Sequence, residues 1–187
     1  MKKTILYAGM IAIVALTACN SVKTEETNAE TPSAPSGALT TVDLENRGLD
    51  GLQLTISVPD SLSKKMTFAK SEYSGALDIL AGDNYQMRIY SNMADEELPI
   101  DSSMAPEINT IKYNNDPETN KYYINEPYLI MWSSPNNDGV TCFHFYASFP
   151  DPKSKSTFYS FEDNSKIVHS EAAIRNMIAI AKTMKRK

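Results

Sequence analysis

The 187-residue sequence is poor in the residues that carry the commonest enzyme chemistries, with two cysteines, two histidines and one tryptophan. Two cysteines exclude a disulfide-dense scaffold, which needs several bridges to replace a hydrophobic core. Eighteen Lys+Arg are outnumbered by 23 Asp+Glu, giving a net charge of −5, and this argues against a nucleic-acid partner. Seven glycines and ten prolines are too few for a collagen-like or low-complexity chain. The sequence contains no GxxxxGK[ST] or GxGxxG phosphate loop, no HExxH, no GxSxG elbow, no CxxC pair and no Dx[DN]x[DN]G calcium loop. It therefore assigns no catalytic residue, no metal and no cofactor.

Long apolar runs are also lacking. The one at the start, Ile5 to Leu16, is 12 residues, short of the ~20 that a spanning helix needs. Behind the positive Met1-Lys2-Lys3 it reads as a signal peptide. The run ends Leu16-Thr17-Ala18-Cys19, which resembles the bacterial lipobox, a branched apolar residue and two small ones before the cysteine that takes up diacylglycerol. That resemblance implies a signal peptide over residues 1–18, lipidation of Cys19 and a membrane partner held through acyl chains. It also implies a place in the bacterial cell envelope, at the outer membrane, facing the periplasm or the surface. Residues 19–37 are rich in Thr, Glu, Ser, Asn, Ala and Pro, with Val22 the only sizeable apolar side chain, and read as a flexible tether.

Residues 38–187 are enough for one well-buried domain. Leu52 to Val58 alternates apolar and polar residues before Pro59, and strands are expected again over Thr67 to Glu72, Ala76 to Leu80 and Tyr85 to Tyr90, together forming an antiparallel meander. A short helix is expected over Asp101 to Tyr113. Further strands follow over Lys121 to Asn125, Tyr128 to Ser133, Val140 to Phe149 and Thr157 to Phe161, with Asp138-Gly139 as a hairpin turn. A long final helix is predicted from Ser170, with Ile174, Met177, Ile178, Ala181 and Met184 as its apolar stripe. The basic Lys182, Lys185, Arg186 and Lys187 would then complement its C-terminal dipole or touch anionic headgroups. The expected class is α+β, an antiparallel sheet packed by the long C-terminal helix and the short middle one. This order of elements, opening with Gly51 to Pro59, resembles the PsbP/DcrB-like group, which implies a sheet flanked by helices and a small accessory domain without transferable catalytic residues.

Two constellations stand out. Alternation along Val140 to Phe149 puts Phe143, Phe145, Ala147 and Phe149 on one face and Cys142, His144, Tyr146 and Ser148 on the other. Cys142 beside His144 allows an activated thiol, although a lone buried cysteine is more often packing. The aromatic group Tyr122, Tyr123, Tyr128, Trp132, Tyr146 and Tyr159 either fills sheet faces or forms a binding surface for a glycan or an envelope protein, with Trp132, Tyr128 and Tyr146 as its candidates. The leading functional reading is a membrane-anchored, non-enzymatic binding or accessory module, and the alternative is a lipid-anchored hydrolase or thiol enzyme using Cys142 and His144.

Overall fold

Residues that alternate between apolar and polar build strands such as Leu54–Pro59. The computed structural model describes residues 37–47, 52–71, 75–82, 85–93, 108, 110–111, 118–154 and 156–187. Cys19, the signal peptide and nearly all of the tether lie outside them, as does the middle helix expected over Asp101 to Tyr113, apart from Ile108, Thr110 and Ile111, which are helical.

Ten strands form two antiparallel sheets among the described residues. The smaller joins β1 (Leu39–Asp43), β2 (Leu54–Pro59) and β10 (Lys185–Arg186) in the order β1-β2-β10. The larger contains β3 (Met66–Lys70), β4 (Ala76–Ala81), β5 (Gln86–Met93), β6 (Lys121–Glu126), β7 (Leu129–Pro135), β8 (Thr141–Pro150) and β9 (Thr157–Asp163). Its order is β3-β4-β5-β9-β8-β7-β6, so two meanders meet where β5 pairs β9. The expected meander is thus split, because β2 leaves it for the smaller sheet.

The α+β expectation is corrected. Of the described residues 51% are in strands and 15% in helices, which makes this part mostly β, with two antiparallel sheets and, among the described residues, no long helix laid on one sheet. Two bounded helices are described, the single turn α1 (Asp60–Ser63) and the 11-residue α2 (Glu171–Ala181). Ser170 caps α2 by accepting the Ala173 N–H at 3.2 Å. It ends early because the Thr183 hydroxyl donates to the Ile180 carbonyl at 2.6 Å and accepts the Ser57 N–H at 2.7 Å, tying the chain to β2. Lys185 and Arg186 then pair with Thr55 and Leu54 as a strand. Lys185, Arg186 and Lys187 therefore complement no helix dipole, whereas Lys182 stands at the C-cap of α2. Arg186 bonds the buried Asp151 carboxylate, and Lys187 bonds Asp43 and Glu45.

The main core lies on one face of the large sheet. Leu77, Ile79, Met87, Ile89, Phe145 and Phe161 pack there with Ile174, Met177 and Ile178 of α2 and with Leu54, Ile56 and Val58 of β2. The opposite face carries a smaller apolar cluster of Ile108, Ile130, Tyr146 and Phe158, with Tyr128, Trp132, Tyr90 and Ile111 half-buried around it. At the β7–β8 hairpin Gly139 has φ +75°, a left-handed conformation that side chains resist. The Asn136 carboxamide closes this turn by accepting the Asp138 and Val140 N–H groups at 2.9 and 2.8 Å.

Candidate functional site

Strand register assembles a row of polar side chains across the face opposite the main core. Asp78 of β4 stands beside Arg88 of β5, Arg88 beside Glu162 of β9, and Glu162 beside Tyr146 of β8. The neighbouring row places His144 beside Trp132 of β7. Their rings lie 5.4 Å apart and are tilted by 33°. Between the rows lies a cavity of about 310 Å³, to which Arg88, Trp132, His144, Tyr146 and Glu162 contribute. Ile111 and Ser165 also border it.

Each charged group has a definite partner. Arg88 Nε donates to Asp78 at 2.8 Å, and its Nη1 lies 3.4 Å from Glu162. Burial raises the pKa of Glu162 above the ordinary carboxylate value, outweighing the opposing guanidinium of Arg88, and the nearby Asp163 adds to the rise. Asp163 closes the end of the β8–β9 ladder with its carboxylate. One oxygen accepts the Phe145 N–H at 2.8 Å, and the other lies 2.9 Å from His144 Nδ1. The imidazole is thereby oriented against Trp132. Deeper in the same face Ser160 links Ser148 at 2.9 Å with Tyr146 at 3.1 Å and Asn92 at 3.0 Å, so its buried hydroxyl is fully engaged.

The sequence-derived candidates separate in this setting. Trp132 and Tyr146 border the cavity, whereas Tyr128 belongs to the adjoining apolar cluster and Tyr123 and Tyr159 join the main core. Cys142 and His144 do not form a pair. The thiol is 6% exposed, is directed to the Val140 carbonyl at 3.6 Å and does not border the cavity, while the imidazole turns to Asp163. No hydrogen bond among the described residues joins Ser165 to His144, and no group of three or more His, Cys, Asp or Glu side chains among them could hold a metal.

Sequence reasoning overlooked Asp78, Arg88, Glu162 and Asp163. A signal was present, because Asp78 interrupts Leu77 and Ile79 and Arg88 interrupts Met87 and Ile89. A charge within an apolar strand is costly unless paired, so two such charges ten residues apart suggest a cross-strand partner. Comparison with protein-family models and with curated proteins finds no match to this chain. No helix among the described residues is long and apolar enough to cross a membrane.

Proposed function

We propose that the protein is a lipid-anchored lipoprotein of the bacterial envelope, at the outer membrane, whose domain is a non-catalytic binding module with the Trp132 cavity as its binding site. The observation that carries the binding reading is the cavity itself, where an aromatic wall and an Arg–Glu pair from distant strands converge on one sheet face. Concave, partly apolar sites with a few converging polar groups are where small ligands bind. The anchor is supported by the lipobox-like Leu16-Thr17-Ala18-Cys19. Against a thiol enzyme stand the burial of Cys142 and the engagement of His144 elsewhere.

Two measurements test the proposal. Cys19→Ala should abolish labelling by a fatty-acid probe and leave unprocessed precursor, and equal labelling of the variant would refute the anchor. Cys142 of the folded protein should react with iodoacetamide only after denaturant is added, with little effect of His144→Ala on the native rate. Rapid, His144-dependent alkylation would make the enzyme reading the leading one.

A further inference from the structure

The charges bordering the Trp132 cavity narrow the class of ligand. Arg88 and the indole of Trp132 bring only N–H donors, and Glu162 brings acceptors, 3.4 Å from the guanidinium. An ammonium ligand could pair with Glu162 but would meet the positive Arg88, and the adjoining depression that Arg88 shares carries Lys70 and Lys166 beside the single carboxylate of Asp78. A phosphate or carboxylate could add a bond to Arg88 but would meet the carboxylates of Glu162 and Asp163. A hydroxyl group is one donor and two acceptors at once. Adjacent hydroxyls on one ring can therefore accept from Arg88 and donate to Glu162, beside the ion pair those two already make, without setting a like charge against either.

Glu162 has capacity for such a donor. Its contacts to Arg88 and to the Tyr90 hydroxyl are both 3.4 Å, and its side chain is 31% exposed. Asp163 accepts at 2.8 and 2.9 Å and is committed to the sheet end. The apolar part of the lining includes Trp132, Ile111 and Phe145, and an aromatic ring such as that of Trp132 is suited to pack against the C–H face of a sugar ring. At about 310 Å³ the cavity lies at the small end of ligand sites, matching one ring and not an extended chain. Resting on the binding-module reading above, we infer that the cavity recognises a single neutral sugar ring, with Trp132 against its apolar face and Arg88 and Glu162 dividing its hydroxyls.

The test titrates the full-length protein, in a detergent without a sugar headgroup, with glucose, galactose, mannose and N-acetylglucosamine. Choline, inorganic phosphate and acetamide follow at the same concentrations. Trp132, the chain's single tryptophan, reports occupancy by fluorescence, and calorimetry gives the affinity. At least one sugar should bind with a Kd on the order of millimolar, as expected for so small a ligand, and the three other probes should leave the emission unchanged. Glu162→Gln should weaken sugar binding about tenfold or more by removing the charge-assisted acceptor. Trp132→Leu, followed by calorimetry, should weaken it comparably, and circular dichroism identifies any variant that has failed to fold. A response to choline, phosphate or acetamide but to no sugar overturns the inference and leaves the binding module standing. No response to any probe also overturns it, as does unchanged sugar affinity in either folded variant. Rapid alkylation of Cys142 is the separate result that would overturn the binding module itself.

Discussion

Replacing Asp163 divides two bonds that a single carboxylate makes, and the division can be measured. The side chain is 4% exposed and accepts the Phe145 N–H at 2.8 Å and His144 Nδ1 at 2.9 Å. A hydrogen bond to a charged acceptor contributes about 1.5–3 kcal/mol, and leaving a buried donor without any acceptor costs about 1–3 kcal/mol. Asp163→Ala removes both bonds and strands the N–H of Phe145, a residue that is itself buried, so its cost should be about 3 kcal/mol. Asp163→Asn can keep one carbonyl oxygen on that N–H and loses mainly the bond to His144, for about 1–1.5 kcal/mol. For a domain of this size each kcal/mol shifts Tm by about 2–4 °C, which predicts losses of roughly 6–12 °C for Ala and 2–6 °C for Asn. Far-UV circular dichroism follows the unfolding. Emission from Trp132, whose ring neighbours His144 at 5.4 Å, reports whether the imidazole has moved. Melting temperatures that match the parent in both variants, or equal losses in Asn and Ala, would refute the account of Asp163 as the group that closes the ladder and orients His144.

Two further perturbations test the charge row and the core. The pKa of Glu162 is raised on folding, chiefly by burial, so its contribution is fully present below the ordinary carboxylate pKa and is lost as pH rises through the folded value. Glu162→Gln should therefore gain stability relative to the parent as pH rises from the acid range to neutrality, and the opposite trend in urea-melt midpoints would refute this assignment. Ile178→Asp forces a carboxylate into the fully buried face of α2 and should cost at least about 4 kcal/mol, against about 1 kcal/mol for Ile178→Val. An unchanged melting temperature for the Asp variant would mean that α2 does not pack as described.

Local pattern was enough to locate most elements. Leu54, Ile56 and Val58 alternate with polar residues whatever their strand partners, and β8 separates Phe145 and Ala147 from His144 and Tyr146 because successive side chains point to opposite faces. Asp138-Gly139 specifies its turn because glycine adopts φ +75° without steric cost. The sequence could not show which strands become neighbours. Arg88 meets Glu162 only because β5 pairs β9 although the two residues stand 74 positions apart in the chain, and local periodicity carries no information about such a pairing. The same limit applies to the C-terminus, where Lys185 and Arg186 continue a plausible helical pattern until Thr183 bonds β2, Arg186 finds the buried Asp151 and the tail becomes a strand. Periodicity fixes which face a side chain takes within its own strand, whereas the charge row and its cavity exist only once long-range pairing has set one strand's register against another's.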